Sequence, residues 1–298
     1  MVDFAKLLNR EPKAYEVPGL LIGVTGHRPH KLNSRPGVSD GYEWGNPLRV
    51  RLRERLKEET LKLIERNKAS DVALRKELSR MVAAEVATLA AAQKQDLSRM
   101  REMVKGECHY VVYGALHEAT ADQARAGELP RLKALSDRLA KDELCGRSRF
   151  SAMRIHSMLS SVRWNGPMPT GVVGVSGGAL GADQDTCGVW YRMGIPYILA
   201  IPFPGQESRW PASSKKTYGQ VVEKAAGVIY VSKTAPTTDK EAAKMLGERN
   251  GWIAGVSDEM LAVWNGSHAG GTANAVQQRF RTGGQIALID PEHEREFI

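Results

Sequence analysis

The chain has 298 residues, of which 42% are hydrophobic and 26% charged, and its formal net charge is +8. This composition is that of a globular protein and excludes both wholesale disorder and a disulfide scaffold. The positive charge suits an anionic partner, but spread over this length it does not by itself indicate nucleic-acid binding. Three widely spaced cysteines and the lack of a long apolar stretch favour a reducing cytoplasm and no membrane partner.

The chain begins its regular structure with a strand followed by a helix. The segment Gly19 to Gly26 is short, nearly continuously apolar and ends in glycine, which is typical of a buried parallel strand. The segment Pro47 to Arg66 carries leucines at helical spacing with charged residues between them, and its proline suits a first helical turn. This pattern predicts one strand and helix at the start of an α/β fold.

The second half of the chain repeats that alternation. After a strand ending at Ser176, further strands are predicted at Tyr197 to Ile201, Val228 to Val231, Met260 to Trp264 and Gln285 to Ile289. Helices are predicted at Gly181 to Met193, Ser213 to Ala226, Asp239 to Ala254 and Thr272 to Thr282. The alternation predicts an α/β fold with a doubly wound, mostly parallel Rossmann-like sheet, whose ligands bind outside the carboxyl ends of the strands.

A charged, Ala-rich segment from 68 to 165 interrupts this alternation and predicts a mainly helical insertion. The Rossmann-like domain would then consist of residues 1–67 and 166–298. The insertion best suits a helical cap or a homo-oligomer contact, and the less favoured alternatives are a substrate lid and a nucleic-acid arm. The sequence leaves these roles open.

A glycine-rich loop connects the predicted strand ending at Ser176 to the next helix. Backbone N–H groups at such a helix start attract phosphate or carboxylate, and glycine lets a ligand approach closely. The loop matches neither the GxGxxG nor the GxxxxGK[ST] fingerprint. Its alternative interpretation is a tight turn without a ligand. The ligand-binding candidates here are Ser176, Gly177, Gly178, Gly181 and Asp183.

Two further polar turns follow predicted strands. In Gly270-Gly271-Thr272 the threonine is placed to cap the next helix and to bond a phosphate oxygen. The turn Thr25-Gly26-His27-Arg28 offers two cationic side chains to an anion. Alternatively, His27 and Arg28 cap the turn and pair with a carboxylate such as Asp183. All three turns would meet at one edge of a parallel sheet.

The loop from Pro202 to Pro211 follows another strand on the same side. Phe203 or Trp210 is suited to stack on a base, and the polar side chains between them are suited to contact the base edge or a ribose. Alternatively, the prolines only stiffen the connection. The polar candidates are Gln206, Glu207 and Arg209.

Five ordered motifs, TGHRPHKL, SGGALGADQD, IPFPGQESRWP, GERN and AVWNGSHAGGTANAV, together resemble the YpsA-like branch of the SLOG superfamily. That superfamily also includes DprA-type and LOG-type proteins. The resemblance covers residues 19 to about 66 and 170 to 290 and leaves the insertion outside. It implies a Rossmann-like fold that binds nucleotides or their derivatives. Family members act as nucleotide sensors, as N-glycosidic phosphoribohydrolases or as DNA-binding proteins.

The resemblance also assigns roles to single residues. It implies that Gly270, Gly271 and Thr272 form the phosphate loop, and that Arg249 of the Arg249-Asn250 pair handles the substrate. Taken without the resemblance, that pair is only a solvated helix face. LOG enzymes carry a catalytic glutamate just after the glycine-threonine step, where this chain has Ala273-Asn274-Ala275. Binding is thus better supported than hydrolysis, and Asp183 and Glu207 are the remaining catalytic candidates.

These observations predict a protein that binds an anionic nucleotide derivative, such as an ADP-ribose-like molecule or a cyclic nucleotide signal, as a sensor, regulator or sequestering protein. One alternative is an N-glycosidic hydrolase or transferase acting on a nucleotide. The other is a DprA-like protein that binds single-stranded DNA, and nucleic acid is the less favoured partner. The scattered histidines and the absence of HExxH predict no metal site, and no cofactor other than a nucleotide ligand is expected.

Overall fold

The structure is a computed structural model that describes residues 17–67, 149–282 and 284–298. Residues 17–64 and 157–298 form one compact unit, which contains the whole sheet, and the remainder of the chain is assigned to a second unit. The predictions made for residues 68–148 lie outside the described residues.

Strands and helices alternate along the compact unit, as the sequence predicts. The strands are β1 (Leu20–Gly26), β2 (Arg163–Trp164), β3 (Val172–Ser176), β4 (Tyr197–Ile201), β5 (Gly227–Tyr230), β6 (Glu259–Val263) and β7 (Ile286–Ile289). The helices are α1 (47–67), α2 (Arg149–Leu159), α3 (Ala182–Arg192), α4 (Ala212–Glu223), α5 (Asp239–Val256), α6 (Gly271–Arg281) and α7 (Pro291–Arg295), with a 3-10 turn at Pro29–Lys31.

The seven strands form one sheet in the order β2-β5-β4-β3-β1-β6-β7. All neighbouring strands are parallel except β2, which is antiparallel to β5. From the central β1 the chain proceeds outward through β3, β4 and β5, and then returns to the other side of β1 for β6 and β7. The predicted doubly wound, Rossmann-like α/β fold is therefore confirmed. Its topological switch point lies between β1 and β6, where such folds bind ligands.

Side chains of β1 alternate between two helical layers. A Cβ on Gly26 would overlap Ala182 of α3, whereas a Cβ on Gly23 would contact Ile253 of α5. Helix α3 packs on β1, β3 and β4, and α5 packs with α6 against β1. Because both faces are covered, the central strands are buried along almost their whole length, which explains their continuous apolar sequences.

The edge strand β2 lies inside the segment predicted to be an insertion. Arg163 pairs with Val228 and Trp164 with Gly227. Residues 157–165 consequently belong to the unit that contains the sheet. A pair of residues is too short to show alternation, and its strand conformation is set by the neighbouring β5 rather than by local sequence.

The helices that face the carboxyl edge of the sheet begin in different ways. Helix α5 has a side-chain cap, because Thr238 accepts a hydrogen bond from the Glu241 amide, and the Glu241 carboxylate accepts one from the amide of Thr237, the residue before the cap. Helix α6 has no such side-chain cap at Gly270. Only α6 of these two thus presents a first turn whose amide groups lack a side-chain partner.

Among the described helices, none combines the length and the apolar character needed to cross a membrane.

Candidate functional site

A cavity of about 540 Å³ opens at the carboxyl edge of the sheet, at the switch point. Its walls come from the turn after β1, the start of α3, one face of α5 and the loop that leads into α6. The charged side chains that line it are three cations, Arg28, Lys31 and Arg249, and one carboxylate, Asp183. The cavity is therefore electropositive and suited to an anion.

The first turn of α6 forms one wall of this cavity. Gly270 precedes the helix with φ +104°, a backbone conformation that favours glycine. A Cβ added at Gly271 would meet nothing outside its own helix within 4 Å, so the approach to the amide groups is open. The prediction that Thr272 caps this helix is wrong, because Gly270 occupies the cap position and Thr272 lies inside the first turn. Thr272 still lines the cavity.

Asn250 on α5 holds this turn in place. It is buried, and its Nδ2 donates to the Gly271 carbonyl and to Asn274 Oδ1, both at 3.1 Å. Asn274 Oδ1 also accepts from Gln278 Nε2 at 2.7 Å. Asn274, which lies in the Ala273-Asn274-Ala275 step after Thr272, thus serves as an acceptor that braces α6 against α5.

Arg249 and Asp183 form a buried ion pair beside that turn. Arg249 Nη1 lies 3.6 Å from Asp183 Oδ2, and both side chains are less than a tenth exposed. No hydrogen bond joins the Arg249 guanidinium to a described residue, and its buried Nε has no partner. The interpretation of Arg249-Asn250 as a solvated surface pair is wrong. The ion-pair partner of Asp183 is Arg249, and Arg28 adds a weaker Coulombic attraction to the same carboxylate.

Burial is the largest influence on the pKa values of both Asp183 and Arg249. It raises the pKa of Asp183 to about 6, against the lowering effects of Arg249 and of the amides of Ala179 and Gly177. Burial likewise lowers the pKa of Arg249. A carboxyl group with a pKa near 6 in an electropositive cavity can change its protonation state close to neutral pH.

The glycines of the Ser176 loop contact protein instead of the cavity. A Cβ on Gly177 would overlap the Arg249 guanidinium, and one on Gly181 would overlap the His27 carbonyl oxygen. Gly178 and Ser176 are also buried, and the Gly178 amide donates to Ser176 Oγ at 3.1 Å. Of the five candidates in this loop, Asp183 alone lines the cavity. The arrangement favours the tight-turn interpretation for the glycines.

The turn after β1 lines the cavity, but its residues differ in role. Thr25 and Gly26 contribute to the wall, and Arg28 is exposed at the mouth. His27 is buried, with its Nε2 2.8 Å from Asn265 Oδ1 and 3.1 Å from the Asn265 amide. Its ring therefore connects the turn after β1 to the loop after β6. Burial lowers the pKa of His27.

A second cleft of about 830 Å³ shares Arg28, His30, Ala179 and Leu246 with the cavity. The predicted residues that line this second cleft are Phe203, Gln206, Arg209 and Trp210.

These residues of the second cleft are held in different ways. Trp210 packs edge-on against Tyr218 with ring centroids 5.2 Å apart, and Gln206 donates to the Tyr218 hydroxyl and to the Gly177 carbonyl. Arg209 is highly exposed and pairs with Asp239 at 3.1 Å. Glu207 lines neither the cavity nor the second cleft. Of the two predicted catalytic carboxylates, Asp183 is therefore the one that faces a cavity.

Several lining residues were not among the predicted ligand-binding residues. His30 and Lys31 belong to the 3-10 turn after Arg28, and Leu246 follows the helical pattern of α5. Tyr42 lies in a loop without periodicity and lines the second cleft. Within the ranges that the structure describes, no group of three or more His, Cys, Asp or Glu side chains is arranged to hold a metal ion.

Comparisons with known proteins found a similar sequence and a similar structure. No family model matches the sequence. The structure resembles that of the DNA processing protein A (DprA) from Streptococcus pneumoniae with a TM-score of 0.33 and 17% sequence identity. That match covers 48% of this chain and 47% of DprA, so this chain spans about half the length of that protein.

The sequence is 30% identical over 136 residues to the uncharacterized SPbeta prophage-derived protein YoqJ of Bacillus subtilis (strain 168). The match covers 41% of this chain and 78% of YoqJ. On that identity and coverage, this chain belongs to the same protein family as YoqJ.

Proposed function

We propose that this protein binds an anionic nucleotide derivative in the cavity between β1 and β6, and that it acts as a sensor, regulator or sequestering protein. ADP-ribose-like molecules and cyclic nucleotide signals are the ligand classes we favour. The proposal includes membership of the SLOG superfamily in its YpsA-like branch, which rests on the five motifs.

The observation that carries this proposal is that Arg249 is buried with incomplete hydrogen bonding. Its guanidinium is buried, its Nε has no partner, and its ion pair with Asp183 at 3.6 Å is longer than a hydrogen bond. Buried donors without partners are rare in folded proteins, because each one costs free energy. An anionic group in the cavity would supply the missing acceptor.

The first turn of α6 supplies the complementary half of an anion site. Its amide groups have no side-chain cap, and Gly271 leaves open space in front of them. Backbone amides and the positive end of the helix dipole together favour phosphate. We place the phosphate between this turn and the guanidinium of Arg249, with Arg28 at the mouth.

The second cleft provides room for the remainder of a nucleotide. It adjoins the cavity at Arg28 and His30 and includes the rings of Phe203 and Trp210. Aromatic walls beside an anion site fit a base joined to a phosphate through a sugar. Inorganic phosphate alone would leave this cleft empty.

The test compares wild-type protein with Gly271→Val and Gly219→Val by calorimetry, using AMP, GMP, cyclic AMP and ADP-ribose. Both glycines lie in helices, and at both positions an added Cβ meets nothing outside its own helix within 4 Å, so the two variants are matched in local space. Only the Gly271 side chain would block the α6 amides. We expect Gly271→Val to abolish binding and Gly219→Val to retain it. Absence of binding to wild type, or equal binding by the Gly271→Val variant, would refute the proposal.

The salt dependence of binding separates a small ligand from a nucleic acid. A protein that neutralises many phosphates loses affinity steeply as salt increases, because counterions are released. We expect a shallow dependence for a mononucleotide-sized ligand. A steep dependence with an oligonucleotide, together with no nucleotide binding, would favour the DNA-binding alternative.

Asp183 supports a second candidate function, cleavage or transfer at an N-glycosidic bond. It lines the cavity, and its pKa of about 6 suits a group that donates or accepts a proton. The test is to incubate the protein with nucleoside monophosphates and NAD and to separate free base chromatographically. Release of base that is lost in Asp183→Asn would support catalysis. Unchanged nucleotides would leave binding as the sole function.

A further inference from the structure

We infer that Tyr42 forms the wall of the second cleft against which the ligand's base packs, and that buried Arg49 positions it there. The inference rests on the proposed nucleotide binding and deepens it, because it assigns the base to a defined residue. Neither residue belongs to the five motifs.

Tyr42 exposes a large aromatic side chain from a tightly held segment. The side chain is 50% exposed and lines the second cleft. The neighbouring Gly41 amide donates to Asn33 Oδ1 at 2.9 Å, and a Cβ on Gly41 would overlap the Pro29 carbonyl oxygen. The backbone at Tyr42 is therefore fixed, and an exposed ring on a fixed backbone is suited to contact a ligand.

The nearby Trp44 differs from Tyr42, because its ring contacts other side chains of the protein. Its ring lies 4.3 Å from the Arg53 guanidinium and 5.4 Å from that of Arg49, measured to the ring centroid. Among the described residues, no ring or cation contact joins the Tyr42 side chain. The two aromatics are two residues apart, and it is Tyr42 that lines the cleft.

Arg49 fixes the segment to the helix that lines the phosphate cavity. Its Nε and Nη2 donate to the two Asp185 oxygens at 2.9 and 3.0 Å, and its Nη1 donates to the Gly41 and Tyr42 carbonyls at 3.2 and 3.3 Å. Asp185 lies two residues after Asp183 in the first turn of α3. A single turn of α3 therefore determines the position of both the carboxylate in the cavity and the aromatic residue in the cleft.

The cleft joins the phosphate cavity at Arg28 and His30. Phe203 and Trp210, from the loop after β4, line the same cleft as Tyr42. A phosphate at α6 and a base at Tyr42 would therefore belong to one ligand that passes Arg28. On this geometry, Tyr42 is the residue that distinguishes ligands that contain a base from ligands that do not.

The experiment measures binding by calorimetry for two sets of probes. AMP, GMP and ADP-ribose contain a base, whereas ribose 5-phosphate and inorganic phosphate do not. The variants are Tyr42→Ala, Tyr42→Phe and, as a matched control, Tyr191→Ala. Tyr191 is 52% exposed but lines neither space. The Tyr42 side chain is substantially exposed, so these variants preserve the core.

Loss of stacking on one aromatic ring weakens binding by about 5- to 150-fold. We expect Tyr42→Ala to weaken the best base-containing probe by this factor and to leave ribose 5-phosphate unchanged. Tyr42→Phe and Tyr191→Ala should bind like wild type. If base-containing probes bind Tyr42→Ala as tightly as wild type, yet fail to bind Gly271→Val, this inference is overturned. The proposed function would still be supported. Failure of every base-containing probe with wild type would overturn both.

Discussion

Nη1 of Arg249 lies where a Cβ on Gly177 would be placed. The guanidinium therefore packs directly on the backbone of the Ser176 loop. Arg249 can occupy this position only because residue 177 is a glycine.

We expect Gly177→Ala to displace Arg249 from its buried position. Overpacking of this kind costs about 1–3 kcal/mol of unfolding free energy, measurable by urea denaturation. Nucleotide affinity should fall with it, because the guanidinium would leave the cavity wall. Gly171→Ala is the control, since a Cβ there meets no described atom. A Gly177→Ala protein with wild-type stability and affinity would contradict this packing.

Ligand affinity should depend on the protonation of Asp183. Its pKa in the free protein is raised to about 6 by burial, and a bound anion would raise it further because the two negative charges repel. Binding would therefore take up a proton, so affinity should fall as pH rises through about 6. One pKa unit of coupling corresponds to about a tenfold change in affinity.

The measurement is a titration with ADP-ribose between pH 5 and 8, because its pyrophosphate does not titrate in that range. Asp183→Asn should remove this component of the pH dependence. His30 also lines the cavity, so His30→Gln serves as a parallel variant. A pH profile that is identical in wild type and Asp183→Asn would exclude the coupling.

Removal of the Asn250 amide should loosen the first turn of α6. Asn250→Ala deletes the donor to Gly271 and Asn274, at a cost of about 1 kcal/mol in stability and about tenfold in nucleotide affinity. Asn165→Ala is the matched control, because Asn165 Nδ2 donates to the Ala225 carbonyl outside both spaces. The control should lose stability without losing affinity. Equal affinity of Asn250→Ala and wild type would show that the turn holds its shape unaided.

Two carboxylates that form ion pairs in this chain, Asp185 and Asp239, should differ widely in their effect on stability. Asp185 is buried and contacts both Arg49 and Arg53, so Asp185→Ala leaves the buried Arg49 and the partly buried Arg53 without their carboxylate partner and should cost about 3–5 kcal/mol. Asp239 pairs with Arg209 on the surface, and Asp239→Ala should change stability by less than about 1 kcal/mol. Urea denaturation of both variants tests the contrast, which equal losses would disprove.

The elements of the sheet were predictable because its strands are buried on both faces. Strand Tyr197–Ile201 has the predicted bounds, and the predicted Met260 to Trp264 is displaced by one residue from Glu259–Val263. Strand β2 could not be predicted, because two residues carry no period and their conformation depends on β5.

The glycine loops show where sequence patterns stop being informative. A glycine indicates that something approaches the backbone, but the pattern does not distinguish a ligand from the protein itself. At Gly177 and Gly181 the approaching group is protein, whereas Gly271 faces open space. Tyr42 escaped prediction for a related reason, since its position depends on Arg49 and Asp185, which are 136 residues apart in sequence.

That separation has a consequence for folding. The Arg49 to Asp185 hydrogen bonds close a loop containing all of residues 68–148, and long-range contacts of this kind form slowly because chain entropy must be lost first. During synthesis, the segment around Tyr42 leaves the ribosome long before α3 exists to anchor it. The nascent chain therefore acquires the Arg49 to Asp185 anchor only after α3 has been made, and a fragment ending before α3 would lack it.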